Sequence, residues 1–127
     1  MKRKLTKYIM SALLVVAAVD AGAARVARES VYQGTWCGAH GGETEVILRD
    51  KARADCVAQI DGQEYAIEFD FADKWAEAIG QALYYAAMLD RKAGVVLIVE
   101  DFKRDKKYID RYMFATQFLG IRLWLTD

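Results

Sequence analysis

Residues 53–71 read RADCVAQIDGQEYAIEFDF, and this stretch decides the fold. At its centre, Asp61-Gly62 is a strong two-residue hairpin signal, because both residue types tolerate the positive φ angles of a type I′ turn. The flanking segments, 53–59 and Gln63–Phe71, have the alternating composition of β-strands. We therefore predict a hairpin whose second strand has one apolar and one more polar face. The apolar face carries Tyr65, Ile67 and Phe69, and the more polar face carries Ala66, Glu68 and Asp70.

A two-residue turn also fixes the register of the hairpin. It places Asp55 directly across from Glu68, with Cβ atoms about 4.5–5.5 Å apart. Facing like charges repel, so this pair requires a divalent cation between the oxygens, a proton on one carboxyl, or a solvated strand edge. The same register predicts an ion pair between Arg53 and Asp70.

The rest of the chain predicts an α/β fold with a mixed β-sheet, in which a β-meander is followed by an αβαβ sequence and helices flank the sheet. Short strand–helix–strand units imply right-handed crossovers and a parallel part of the sheet. Residues 24–42 are glycine-rich and indicate a loop, and residues 44–48 fit either a strand or one helical turn. The remaining predicted elements are helix 73–89 with Asp73 as N-cap, strand 93–99, helix 106–118 and strand 121–125.

Helix 73–89 carries a stripe of three functional candidates. At about 100° per residue, Lys74, Gln81 and Tyr85 lie on one side. Gln81 is the only strongly polar side chain between residues 78 and 89. Because a helix that is apolar nearly all round is usually buried, we expect a buried Gln81 amide that bonds either to backbone or to a functional group.

Taken in order, these motifs resemble the PD-(D/E)xK nuclease superfamily, which has a restriction-endonuclease-like core. The resemblance rests on Arg53-Ala54-Asp55, the hairpin, Ile67-Glu68-Phe69-Asp70, and a helix with Gln81-x-x-x-Tyr85. It implies that Asp55 and Glu68 bind Mg²⁺ (or Mn²⁺), with Glu45 as a looser match for an upstream ligand. It also implies that Gln81 and Tyr85 support the substrate.

The chain departs from the family pattern at one position, because Asp70 stands where the family has a lysine. Lys74, at the start of the helix, could supply that charge instead. The resemblance then implies metal-dependent hydrolysis of nucleic acid, DNA more than RNA, with Asp55, Glu68 and Lys74 as catalytic residues. The alternative is a catalytically degenerate nuclease fold that serves as a binding or structural module, including in the cell envelope.

Length and composition permit one domain of ordinary globular type. The chain has 127 residues, 54% of them hydrophobic, and a formal net charge of zero. That balance excludes an intrinsically disordered chain and a strong attraction to nucleic acid through bulk charge. A local basic groove stays open, and the residues available for it near the second helix are Lys103, Arg104, Lys106, Lys107 and Arg111, unless they form only a solvated helix face.

The first 23 residues have the order of a secretory signal peptide. A basic start is followed by the uncharged run 8–19 and by the small residues Ala21-Gly22-Ala23. We expect cleavage after this segment, which leaves one domain at 24–127 in the periplasm or secreted, with no stable membrane span. The alternative is an uncleaved N-terminal anchor.

Two cysteines, Cys37 and Cys56, belong to the expected mature chain. In an oxidising compartment they can form one disulfide, which would close a loop of about 20 residues. Without export, two buried free thiols are the expected state.

Overall fold

The computed structural model describes residues 24–127, so the predicted signal segment 1–23 lies outside the described residues. Three helices and five strands make up this part of the chain, with one 3₁₀ turn before the second helix. In chain order they are α1 (Glu29–Ala39), β1 (Glu43–Ile47), β2 (Arg53–Ile60), β3 (Gln63–Phe71), the 3₁₀ turn Ala72–Lys74, α2 (Trp75–Leu89), β4 (Lys92–Ile98), α3 (Phe102–Thr116) and β5 (Arg122–Thr126).

The five strands form one mixed sheet in the order β1-β2-β3-β4-β5. The first three strands are antiparallel neighbours, whereas β3, β4 and β5 run parallel, joined by the crossover helices α2 and α3. The predicted α/β class, with a mixed sheet flanked by helices, is confirmed. Within residues 24–127, no helix is long and apolar enough to cross a membrane.

The β2–β3 hairpin has the predicted turn and register. Asp61 and Gly62 adopt φ angles of 51° and 77°, which suit a two-residue turn. Pairing runs from Ile60↔Gln63 at the turn to Cys56↔Ile67. The side chains of β3 therefore alternate between the two faces of the sheet as expected.

Each face of the sheet has its own apolar layer. On one face, Trp36 and Cys37 of α1 pack with strand residues, which are Cys56, Ala58, Tyr65, Ile67, Phe69 and Val96. On the other face, Ala78 and Ala82 of α2 and Tyr112 of α3 form a layer with Val95 and Leu97 of β4. Glu68 and Asp70 lie on this second face, because they alternate with Ile67 and Phe69 along β3.

The predicted loop at 24–42 is wrong, because most of it forms α1. The Cys37–Cys56 disulfide joins this helix to β2, with Cα atoms 6.0 Å apart. Gly42 lies against the bridge, where a Cβ atom would come within 2.6 Å of Cys37 Sγ. Glycine at this position lets the backbone pass close to the disulfide as the chain leaves α1 for β1.

The predicted helix starts also need correction. Asp73 does not cap α2. It lies in the 3₁₀ turn and pairs with Arg25, while Lys74 occupies the N-cap position without a side-chain hydrogen bond. The third helix begins earlier than predicted, because Asp101 caps it by accepting a hydrogen bond from the Arg104 amide at 3.1 Å.

Candidate functional site: a carboxyl cluster where two strands separate

The site lies where β2 and β3 part. Their backbone pairing stops at Cys56↔Ile67, whereas β2 stays paired with β1 as far as Arg53. Beyond the last pair, the Phe69 amide donates to Asp55 Oδ2 at 2.8 Å. A side chain thus takes the place of the main-chain acceptor that a continued ladder would supply. The sheet opens at this point, and acidic side chains line the opening.

Asp55 and Glu68 meet at the split, as the hairpin register predicts. Glu68 is only 6% exposed, and its Oε2 atom is buried without a hydrogen-bond partner. Burial, followed by the charge and hydrogen bond of Asp55, raises the pKa of Glu68 to about 10. Burial also raises the pKa of Asp55, although the Phe69 amide opposes that shift. The pair therefore shares a proton, and Glu68 holds it.

A second pair of carboxyls, Glu29 and Asp70, lies beside the first. Asp70 is 6% exposed, and burial together with the Glu29 charge raises its pKa to about 7. Glu29 projects from the first turn of α1, bonds to the Asp70 side chain and has a pKa raised mainly by burial. The sequence interpretation missed Glu29, because it assigned this segment to a loop.

Gln33 holds the β1 side of the opening. Its Nε2 donates to Glu45 Oε1 at 3.0 Å and to the Asp55 backbone carbonyl at 2.9 Å. Glu45 has a φ of 55° and interrupts the β1–β2 ladder between two regular pairs. The buried Gln33 amide satisfies the carbonyl that this irregularity leaves open, and it brings Glu45 to the edge of the carboxyl cluster.

Lys74 and Tyr85 approach the cluster from α2 and its first turn. Lys74 is exposed, and its positive charge is near enough to lower the pKa of both Glu29 and Asp70. Tyr85 is half-buried. Burial, and then the charges of Glu68 and Asp55, raise its pKa. Both residues therefore lie close to the site where the sequence interpretation expected them.

Two sequence predictions about this site are wrong. Gln81 is exposed rather than buried, because α2 has an outer face that also presents Leu83 and Tyr84 to solvent. Arg53 makes no ion pair with Asp70 among residues 24–127. At that level β2 has left β3, and Arg53 pairs with Ile47 of β1 instead.

The cluster can accept a cation in chemical terms. Carboxylate oxygens are the ligands that Mg²⁺ and Mn²⁺ prefer, and the unpartnered Glu68 Oε2 is a buried oxygen that a cation would satisfy. As they stand, no three His, Cys, Asp or Glu side chains within residues 24–127 are grouped so as to hold a metal ion. Binding would therefore require the shared protons to leave and the side chains to adjust.

Comparison of the chain with protein-family models, with curated proteins and with solved structures found no match. The α/β fold is established by the strand order and the helices alone. Membership of the PD-(D/E)xK superfamily stays a prediction from the motifs.

Proposed function

We propose that this protein is a metal-dependent nuclease that hydrolyses phosphodiester bonds, in DNA more than in RNA, on a restriction-endonuclease-like core. The observation that carries the proposal is the unpartnered, buried Oε2 of Glu68 beside Asp55 at the split between β2 and β3. Buried polar atoms in proteins are nearly always hydrogen-bonded, so this unpartnered oxygen supports a ligand that would satisfy it.

Mg²⁺ or Mn²⁺ is the cofactor that fits this chemistry. Asp55 and Glu68 would hold it, with Glu45 positioned nearby by Gln33. A bound divalent cation polarises a phosphate oxygen and lowers the pKa of a coordinated water. Loss of the proton that Glu68 holds would make its carboxylate available as a ligand.

Lys74 and Tyr85 supply the remaining polar groups of the proposed site. The charge of Lys74 acts on the Glu29–Asp70 pair and would stabilise negative charge that develops on the phosphate. The half-buried Tyr85 lies close enough to Glu68 and Asp55 for their charges to raise its pKa, and it would orient the substrate. Gln81 is exposed on α2, so its part in our proposal is limited to contact with bound substrate.

A second candidate is a degenerate nuclease fold that acts as a binding or structural module. Asp70 favours it, because a buried acid paired with Glu29 stands where the family has a lysine. In that case the carboxyl cluster would bind a cation without hydrolysis.

Metal-dependent cleavage separates the two candidates. We expect the purified protein to cut linear DNA in Mg²⁺ or Mn²⁺, to cut RNA of the same sequence more slowly, and to stop in EDTA. Binding of Mn²⁺ without cleavage of either polymer would favour the binding module and would contradict the nuclease.

Export into the periplasm or beyond, with residues 1–23 removed or retained as an anchor, belongs to the same proposal. Its support is the segment order in the sequence. Mass spectrometry of the native protein should find an N-terminus near Ala24, whereas an intact Met1 in a cytosolic fraction would contradict export.

A further inference from the structure

A basic and aromatic stripe runs along the exposed side of α3 and into the turn after it. At about 100° per residue, its four members within the helix lie in an arc of about 80°, and the fifth, Phe118, lies in the turn that follows. We call it the α3 stripe, and its residues are Lys103, Lys107, Arg111, Phe114 and Phe118. All five side chains are exposed.

The three cations of the stripe are not neutralised by the acids around them. Asp110, at the edge of the stripe, is bound by Lys106 at 2.6 Å. The buried Asp105 is bound by Arg104 at 2.8 Å. Among residues 24–127, no salt bridge includes Lys103, Lys107 or Arg111.

The ring of Tyr108 orders two of these cations. Lys107 Nζ lies 5.0 Å from its centroid, and Arg111 Cζ lies 5.7 Å from it. A cation over an aromatic face keeps its full charge while its side chain is held in place. The stripe therefore presents pre-positioned positive charge that stays available to an anionic partner.

The aromatic end of the stripe points to a partner with flat apolar groups. Phe114 is 78% exposed and Phe118 is 90% exposed. Two large aromatic rings this open to water are usual at binding surfaces and unusual elsewhere. An anionic polymer that also carries stacking surfaces matches both halves of the stripe, and single-stranded nucleic acid has this chemistry.

The helix that carries the stripe packs on the same face of the sheet as Glu68 and Asp70. The helix α3 packs against the 3₁₀ turn Ala72–Lys74 and covers Val95 and Leu97. Val95 and Leu97 are the register partners of Glu68 and Asp70 in the parallel β3–β4 pair. The helix α3 and the acids Glu68 and Asp70 therefore lie on the same face of the sheet, and the stripe forms the outer, solvent-facing side of that helix.

We propose that the α3 stripe binds single-stranded nucleic acid, with Lys103, Lys107 and Arg111 on the phosphates and Phe114 and Phe118 stacked on unpaired bases. This binding deepens the proposed nuclease function, which would use it to hold the substrate, but it requires neither a metal nor cleavage. A membrane surface is a different partner that basic and aromatic residues can also bind, and it becomes an outcome of the test.

The test measures fluorescence anisotropy of a labelled single-stranded oligonucleotide in EDTA, with the full chain carrying Glu68→Gln so that no cleavage occurs. The charge variant combines Lys103→Gln, Lys107→Gln and Arg111→Gln. Its matched control removes the same charge elsewhere, at exposed positions outside α3, through Arg49→Gln, Arg91→Gln and Lys92→Gln. A third variant combines Phe114→Ala and Phe118→Ala.

We expect the charge variant to lower the slope of log K against log[salt] by about 2 and the affinity about 100-fold at 0.1 M salt, while the control binds like the parent. The aromatic variant should lose affinity about tenfold or more with an unchanged slope. Equal binding by the charge variant and its control would overturn the proposal. The proposal would also be overturned if the charge variant bound the oligonucleotide as the parent does but no longer bound phosphatidylserine vesicles. If the wild type in Mn²⁺ bound the oligonucleotide through the stripe but did not cleave it, only the proposed nuclease activity would be overturned.

Discussion

The backbone amide of Phe69 donates to the side chain of Asp55 at 2.8 Å, at the level where β2 leaves β3. This bond favours the charged form of Asp55, since an amide donor stabilises a carboxylate. Burial, and then the charge of Asp55, raise the pKa of Glu68 to about 10, and the second oxygen of Glu68 has no partner. Their different surroundings therefore give the two facing acids different affinities for a proton, and a cation that displaces the proton would bind both.

The metal-free protein should lose stability as the pH rises. The fold raises the pKa of Asp70 from 3.8 to about 7 and that of Glu68 from 4.5 to about 10. The folded state therefore holds these protons more tightly than the unfolded chain does. The stabilisation that these two protonated groups give the folded state is fully present below their pKa values in the unfolded chain. It is lost as the pH rises through their pKa values in the folded state. Urea unfolding in EDTA should show a free energy of unfolding that falls from about pH 5 to about pH 9.

Saturating Mg²⁺ or Mn²⁺ should restore the stability that is lost at high pH. At a hundredfold excess over the dissociation constant, the cation should raise the free energy of unfolding by about 2.7 kcal/mol. The control combines Glu68→Gln with Asp70→Asn, which removes both titrations and should flatten the pH profile. Stability that increases with pH in the metal-free wild type would contradict the shared protons.

Lys74→Ala should slow cleavage by roughly 10²–10³, because the site would lose a positive charge that acts on the Glu29–Asp70 pair. Cation affinity should change little, since an ammonium is not a ligand. Asp70→Lys in the Lys74→Ala background should restore part of the rate by placing a lysine at the family position beside Glu29. Single-turnover cleavage measures all three proteins, with Lys92→Ala as the exposed control. Full activity in Lys74→Ala would remove Lys74 from the mechanism.

Gln33→Leu should destabilise the fold by about 1–3 kcal/mol. The substitution leaves the Asp55 carbonyl and Glu45 without the two bonds that the amide now donates. Gln59→Leu, at an exposed position of β2, serves as the matched control. Urea unfolding of the two variants should differ clearly, and equal stabilities would show that Gln33 does not hold the opening.

Replacement of both Cys37 and Cys56 by alanine should cost about 3 kcal/mol, the value expected for a bridge that closes a loop of this length. Both sulfurs are fully buried on the face opposite the carboxyl cluster, so the variant should still bind the cation wherever it folds. Thiol titration of the denatured, unreduced wild type should find no reactive cysteine. Two reactive thiols would contradict the bridge.

Local chemistry explains why the central hairpin could be predicted. Asp61 and Gly62 both adopt the positive φ that the turn needs, and the turn alone determines which residues face each other. The juxtaposition of Asp55 and Glu68 followed from that register. It did not show that the ladder ends there, because the hydrogen bond from Phe69 to the Asp55 side chain depends on three-dimensional packing.

The helix α1 could not be predicted for a different reason. Gly34 and Gly38 lower its intrinsic helix propensity, so local rules favour a loop. Tertiary contacts stabilise it instead, through the Cys37 disulfide and the packing of Trp36 against Phe69. Glu29 and Gln33 were missed with it, although both help to form the candidate site.

Gln81 shows the limit of reading burial from composition. The outer side of α2 is rich in apolar residues, yet a helix packs on the sheet with only one of its sides, so Leu83 and Tyr84 face solvent together with Gln81. An apolar helix in a small domain therefore does not need to be buried on all sides.

The most direct test of the proposed metal-dependent nuclease is single-turnover cleavage of labelled linear DNA in Mn²⁺ by the wild type, Glu68→Gln and Glu64→Gln. Glu64 lies on the same strand but is exposed and paired with Arg91, so it is the matched control. We predict that the wild type and Glu64→Gln cleave at similar rates, whereas Glu68→Gln falls to the level seen in EDTA. Equal cleavage by Glu68→Gln and the wild type, or no cleavage by the wild type, would contradict catalysis at the Asp55–Glu68 pair.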